Sequence, residues 1–494
     1  MVEVVGTAPT SVMVITKFVY RHSWKTNANN IKRNLSYSMI IFQMIKNRAC
    51  YLLIIIGLIF CIFNSIQITL KFDKFYEKSD GSYAHRIIQS HIYNIWDDAD
   101  LVKKDLDKNK NFLVSGGELS HDYLYPKLIA LYYKTIGHDI KDEKNKLLLN
   151  NYKFGIPVIQ SVIYFLCLFL FFKKIQNRFD KFIVTFIIGF LALEPSLISY
   201  HTSYWSESLY LSLLLILFIF FIDSPKEYYK YFLIGLLLGL IYMQRSLVIF
   251  LFLPLSFYLV VTEKQKGVFK SFFMIFAYIL ILLFMGFTEY KKSGLFYFTP
   301  HTQGHAHWHY VSHKLNAKKF KLTNEESLQK KHEDLEIWKK ENKINLNNIK
   351  DKRKVLDYKK NYFLESLKKN IFEYTKLHLY KCFQFFIIDI HYYKDKSLKW
   401  WKKSDFKKNL TLKIFYSLLV YLVCFFGLIN LLSSSKDNKK LAFFIILIAF
   451  YFSVVVGWTG IPRYNLANLI FLSIYFGFGV KFLYDKYNNF RLTK

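Results

Sequence analysis

Cysteine is scarce, and each one stands alone. Cys50, Cys61, Cys167 and Cys424 lie in or beside apolar runs, and only Cys382 falls in a hydrophilic segment. Five thiols scattered in this way over 494 residues give neither a disulfide framework nor a CxxC metal motif. Proline is rarer than in most chains, with 8 residues. Acidic residues number 36 against 68 basic ones, a formal net charge of +32. An excess of that sign can serve nucleic acid. No basic-aromatic binding motif accompanies it, so the reading is no nucleic acid. The lysines sit between apolar runs and in one long hydrophilic insert, where anionic lipid head groups are the better partner. Richness in Lys, Ile, Asn, Phe and Tyr is also what an AT-rich genome produces. The N-terminal segment lacks the short apolar core and small-residue cleavage site of a signal peptide. Solenoid repeats are missing, and so is the two-half symmetry of many transporters.

What is present is apolar sequence: 53% of residues are hydrophobic and 19% aromatic. A bilayer takes about 20 residues of helix to cross, and several runs reach that length. The pattern predicts an all-α polytopic membrane protein of ten spans with an extracytoplasmic hydrophilic domain. Residues 1–50 form a basic cytoplasmic N-terminus, and Met44, directly before the first apolar run, reads as a natural start with residues 1–43 an upstream extension. Spans are expected at 51–70, 156–172, 182–200, 205–222, 231–243, 247–262 and 268–287, then at 411–432, 441–457 and 465–484. A first outer loop occupies 71–154, and its Leu124–Ile136 stretch has mixed amphipathic character suited to a membrane surface. A short outer turn carries Glu194-Pro195, His201 and Glu207, and Gln244-Arg245 marks another. The hydrophilic domain covers 288–410, with helix-like apolar spacing at Leu335, Trp338 and Leu356. Residues 485–494 are a cytoplasmic tail. Every short loop assigned inside is basic, including Lys173-Lys174, Lys264-Gln265-Lys266 and Lys439-Lys440, as the positive-inside rule requires. The long outer domain is basic too, but long segments translocate regardless of charge.

On this topology Asp80, Glu207, Arg245, the His301–His313 cluster and Arg463 all fall at the outer face. Ionisable groups at span ends suit a catalytic cleft, whereas a transport relay places them mid-membrane. Each also has a plain structural reading. An Asp in a polar loop is ordinarily solvated. Glu207 suits the positive end of a helix dipole. Arg245 and Arg463 suit snorkelling at helix ends. Alternate histidines in His301-Thr302-Gln303-Gly304-His305-Ala306-His307-Trp308-His309 share one side of an extended stretch, so His305, His307 and His309 are candidate ligands for a metal such as zinc. No carboxylate or cysteine stands at the usual spacing, and a polar loop lining the cleft, His301 included, is the favoured reading.

Four stretches occur in a particular order: Asp80-Gly81-Ser82-Tyr83-Ala84; Leu124-Tyr125-Pro126-Lys127-Leu128 followed by Ile136-Gly137; Glu194-Pro195-Ser196-Leu197-Ile198-Ser199-Tyr200 followed by Ser206-Glu207; and Arg463-Tyr464. In sequence and sidedness they resemble the GT-C superfamily of polyprenyl-phosphate-sugar-dependent glycosyltransferases, which contains protein mannosyltransferases and aminoarabinose transferases. Gly239 to Arg245 and Lys291 to Phe298 fit as well, and the resemblance covers most of residues 50–484. It implies transfer of a sugar from a polyprenyl-phosphate donor to an acceptor at the outer face, by single inverting displacement. It implies Asp80 as catalytic base, with Asp73, Asp97 and Asp98 as rivals in the same loop. Arg245 and Arg463 would hold the lipid phosphate, Tyr83 and Tyr464 belong to the same motifs, and Glu207 would orient the acceptor or help bind a metal. Some relatives use a divalent cation, so a metal ion is an open expectation. Gly81 follows Asp80 where protein mannosyltransferases carry a second acid, which argues against a protein acceptor. The chemistry agrees: a positioned carboxylate can take the acceptor proton, and a departing phosphate needs cations, a task for which the guanidinium fork is shaped. The chain reads as a multi-pass protein of a bacterial inner membrane. The alternatives are a transporter or flippase for lipid-linked sugar, an O-antigen ligase or polymerase, and a non-enzymatic scaffold that would tolerate Asp80→Asn.

Overall fold

The fold comes from a computed structural model, which describes residues 48–66, 124–125, 132, 135, 155–202, 206–223, 225–293, 296, 307–345, 348–388, 403–456 and 462–492. The chain divides into Met1–Leu52 and Leu53–Lys494, and the packing described below lies within the second unit. Asp80, Tyr83, Asp73, Asp97, Asp98, His301, His305 and the candidate start at Met44 fall outside the described residues, as does the Lys127–Leu131 part of the surface stretch.

Helix follows helix along the whole described chain, with no strand among the described residues. The helices are α1 (Arg48–Ile66), α2 (Gly155–Ile175), α3 (Lys181–Leu193), α4 (Pro195–His201), α5 (Ser206–Asp223), α6 (Tyr228–Gln244), α7 (Phe252–Glu263) and α8 (Gln265–Ser293). After these come α9 (His313–Phe320), α10 (Asn324–Glu341), α11 (Ile349–Lys369) and α12 (Ile371–Phe385), then α13 (Lys403–Leu432), α14 (Lys436–Val456) and α15 (Leu466–Leu492). Within the described residues eight of the ten expected spans fall on a single helix, while 247–262 falls on the 3-10 turn Ser246–Val248 with α7, and 182–200 falls on α3 and α4. Seven are long and apolar enough to cross a membrane, and eight if α3 and α4 are one bent span. Two are shorter: α5, apolar over Glu207–Ile222, and α6, with 17 residues. At about 1.5 Å per residue, α6 reaches about 25 Å, less than the ~30 Å hydrocarbon core.

Burial separates the lipid-facing helices from the central one. The window from Leu466 is 72% buried, against 28% for the window from Leu410 and for Gln265–Thr288. Phe272, Phe284, Phe415 and Phe450 are each more than half exposed. Apolar side chains left uncovered over several helices mark a bilayer-facing surface. The chain is an all-α polytopic membrane protein.

Lipid tails are as apolar as leucine, so helices in a bilayer associate through close packing. α13 and α15 meet backbone to backbone. A Cβ at Gly427 would lie 1.7 Å from the Tyr475 carbonyl oxygen, and one at Gly479 would lie 1.9 Å from that of Val423. α7 turns into α8 at Lys264, whose φ of 55° makes the reversal. Lys270 pairs there with Glu263, 2.5 Å away, and donates to the Pro225 carbonyl.

The hydrophilic segment packs around its own small core. Trp308, Leu335 and Val355 are buried, with Trp338, Tyr358 and Tyr362 against them. Val311, Leu315 and Phe363 form a second cluster with Tyr374 and Leu377. α10 starts at a full capping box between Thr323 and Glu326, which satisfies two backbone donors that the first turn would otherwise leave open. Trp308, read in the sequence as part of a polar cleft-lining loop, is instead a core residue at 1% exposure. Its indole is flanked by the buried Lys331 and Lys359, with their ammonium groups 4.0 and 4.8 Å from the ring centroid. Lys331 also donates to the Trp308 carbonyl oxygen at 3.0 Å.

Candidate functional site

The site grows from a helix break. The sequence reads 182–200 as one span with Glu194-Pro195 on the turn after it. The structure corrects this: α3 stops at Leu193, α4 begins at Pro195, and the two axes bend by 48°. Pro195 supplies no backbone N–H and crowds the residue before it out of helical geometry. Glu194 accordingly has an extended backbone, with φ −62° and ψ 122°. Proline is well suited to the first position of the new helix. The Glu194 carboxylate caps that helix, accepting from Leu197 N–H at 2.8 Å and from the Ser196 hydroxyl. Tyr416 of α13 donates to the other oxygen at 3.3 Å. Glu194 is 3% exposed, and α4 holds it about 10 Å before the end of the bent pair.

The end of α4 carries His201, whose ring stacks on Tyr164 of α2 at 3.7 Å. His201 Nδ1 lies 2.7 Å from Ser208 Oγ on α5, and its carbonyl accepts from Gln160 Nε2 and Ser161 Oγ. Gln160 in turn accepts from the Tyr125 hydroxyl at 2.9 Å. Residues far apart in sequence thus meet at one end of the bundle: Tyr125 from the first loop, Gln160 from α2, His201 from α4 and Ser208 from α5.

Beside Ser208, Glu207 in the first turn of α5 forms an ion pair with Arg245. Arg245 follows the last residue of α6, where the backbone turns extended before the 3-10 turn Ser246–Val248. Glu207 and Arg245 are 2% and 9% exposed. The Arg245 guanidinium lies 5.7 Å from the ring centroid of Tyr464, which stands with Arg463 in the 3-10 turn Pro462–Asn465 ahead of α15. Around them, Asn465 donates to the Tyr421 hydroxyl and Asn468 to Asn465 Oδ1. Tyr451 donates to the Leu247 carbonyl at 2.6 Å. A buried ion pair depends on surroundings that hold both charges, and the Tyr464 ring is such a neighbour on the Arg245 side.

Three residues singled out in the sequence therefore meet: Glu207, Arg245 and Tyr464. Arg463 shares the Tyr464 turn, and its side chain lies outside the described residues. His307 does not join them; its ring lies 4.6 Å from Phe363 in the hydrophilic segment. Only the backbone of His309 is described, in the π-turn Trp308–Ser312. Among the described residues no group of three or more His, Cys, Asp or Glu side chains is placed to hold a metal ion.

The sequence reading passed over Gln160, His201 and Glu194 as site residues. The signal for Gln160 was available, since it is an amide inside an apolar run, and such a residue needs partners in a bilayer. The signal for Glu194 was the acid-proline pair itself, which makes a helix start rather than a turn.

Chemically, the end of the bundle offers an oriented guanidinium with its carboxylate, an aromatic ring beside it, and a histidine held by stacking. A guanidinium has five donors in a planar fork, which a carboxylate and a second oxyanion can share. No protein-family model matches the chain, and neither does any curated protein or solved structure.

Proposed function

We propose that this chain is an integral-membrane glycosyltransferase that moves a sugar from a polyprenyl-phosphate donor to an acceptor at the outer face of a bacterial inner membrane. The observation that supports it best is the meeting of Glu207, Arg245 and Tyr464 at one end of the bundle, with Arg463 in the same turn. An anionic lipid head group sits at that level of a bilayer, and a leaving phosphate needs fixed cations there. In the proposed reaction Asp80 accepts the proton of the acceptor hydroxyl. The acceptor oxygen attacks the anomeric carbon from the face opposite the lipid phosphate. The bond from that carbon to the phosphate oxygen breaks, and its electron pair leaves with the phosphate. Arg245 and Arg463 offset the charge that develops, while Glu207 and Tyr464 hold Arg245 in place.

The test is sugar transfer by the purified full-length protein from a panel of polyprenyl-phosphate sugars, with Asp80→Asn beside the wild type. The expected result is transfer by the wild type and loss of at least a hundredfold in the variant, with donor binding retained. Undiminished transfer by the variant would move the base to Asp73, Asp97 or Asp98.

One observation favours a second reading. Glu194 is a buried carboxylate at a helix break, and broken helices with polar groups inside the membrane are a transporter feature. Movement of lipid-linked sugar between leaflets by reconstituted protein, without transfer from any donor, would select that reading.

A further inference from the structure

α12 has the wrong surface for a helix in water. Its outward arc carries Ile371, Phe372, Leu379, Tyr380 and Phe383, exposed by 67, 68, 57, 60 and 77%. At 100° per residue these five fall within half a turn of one another, with Thr375, Lys376 and the half-buried Cys382 between them. Lys376 lies over the Phe372 ring at 4.4 Å and pairs with Glu373 at 3.6 Å. The opposite side holds the helix to the protein, through Tyr374 and Leu377 in the Phe363 cluster and through the fully buried Phe385.

The depth of this helix is set by two bonds to the spans. Cys382 Sγ donates to the Ser453 carbonyl at 3.2 Å, and Ser453 stands two residues before the end of the apolar span Lys436–Val455. Just past α12, the Ile388 N–H donates to Ser417 Oγ at 2.8 Å, and Ser417 is seven residues inside the span that begins at Leu410. At about 1.5 Å per residue, these two bonds reach the spans about 3 and 10 Å in from the ends of their apolar runs. Phe415, Leu418, Phe450 and Val454 are likewise uncovered on α13 and α14, the two spans that α12 and the residues after it bond to.

We infer that α12 is an interfacial helix whose Phe372, Leu379, Tyr380 and Phe383 face enters the boundary between lipid head groups and acyl chains. An amphipathic helix with an aromatic apolar arc and a lysine that snorkels is the kind of element that lies in this layer. The occupant of the face is the lipid bilayer. The helix anchors the hydrophilic segment to the membrane surface next to the Pro462–Asn465 turn, and this holds whether or not the chain transfers sugar.

The test uses the full-length protein reconstituted in vesicles of phosphatidylcholine and phosphatidylglycerol. Nitroxide labels go on Leu379→Cys and Phe383→Cys, and on inward-facing Leu377→Cys as reference, in a background where Cys167 and Cys382 are serine. Power saturation then compares access by oxygen, which concentrates in lipid, with access by a water-soluble nickel chelate. The expected result is oxygen access several-fold above chelate access at 379 and 383, and little access by either at 377. Chelate access exceeding oxygen at 379 and 383 would overturn the inference. So would protection from both reagents, which would mean a second copy or another protein covers the face. The unlabelled wild type supplies a second measurement that needs no variant: a lipid-soluble carbene reagent should label the 371–383 peptide, and absence of label there alongside labelled spans would also overturn it.

Discussion

Arg245→Met should destabilise the protein by about 3–5 kcal/mol, and adding Glu207→Gln should restore most of it. The side chains of Glu207 and Arg245 are 3% and 11% exposed, so the pair is not one of the surface bridges worth about 0–1 kcal/mol. Two charges about 4 Å apart at an effective dielectric of about 20 attract by about 4 kcal/mol. Removing one partner leaves the other buried and uncompensated, at a cost of about 3–5 kcal/mol. Removing both leaves no orphan charge, and such replacements are often near neutral. The assay is reversible unfolding in mixed micelles for the wild type, both single variants and the double variant. Transfer activity is measured on the same four proteins. On the proposed function, stability returns in the double variant and activity does not, because the cation that holds the phosphate is gone. Recovery of both would reduce the pair to a structural bridge. Single variants that cost less than about 1 kcal/mol would refute the burial argument itself.

Two further outcomes follow from the packing. Burial pushes Lys331 down to about 8, with Lys359 adding repulsion, and it pushes Lys359 down to about 8, with Lys339 adding repulsion and Glu336 opposing. Folding therefore releases protons between pH 8 and the usual 10.5, so stability of the 308–369 segment rises with pH through that window and the cost is fully present below it. The gain is up to about 3 kcal/mol per lysine. Hydrogen exchange between pH 7.5 and 9.5, corrected for intrinsic rate, should show this slope in the wild type and lose it in Lys331→Met/Lys359→Met; an unchanged slope in the double variant would refute it. The range stops short of pH 10, where raised tyrosines such as Tyr358 and Tyr374 act in the opposite sense. Gly427→Leu should abolish recovery of folded protein, whereas Leu418→Ala on the lipid-facing side of the same helix should be tolerated, because only Gly427 meets a carbonyl oxygen at 1.7 Å; equal yields in a detergent-stability assay would refute the close approach.

Hydropathy is a local property that sums along a window, and it carried the fold class a long way. Apolar runs at 156–172, 268–287 and 465–484 each coincide with a helix because a backbone in lipid must satisfy its own hydrogen bonds. The apolar spacing of Leu335 and Trp338 was equally local, and α10 carries it; the Thr323 cap that starts this helix came from the structure. Proximity of Glu207, Arg245 and Tyr464 was legible only as an expectation, from their positions at span ends. The ion pair and the ring beside it depend on how α5, α6 and α15 pack, which no window of sequence contains. Glu194 shows the same limit. Its run of apolar residues reads as one continuous span, yet a single proline removes a backbone donor and turns the acid into a helix cap buried against Tyr416. Trp308 and its two lysines, and the exposed face of α12, were hidden for the opposite reason: the sequence around them is charged, and charge pattern alone does not say which lysine is folded under an indole or which phenylalanine is left outside. Sequence by itself determined that this chain forms a series of apolar helices and roughly where they lie, but not the break at Glu194-Pro195. Tertiary structure alone decided which polar groups meet at their ends, because a partner's identity is set by long-range packing.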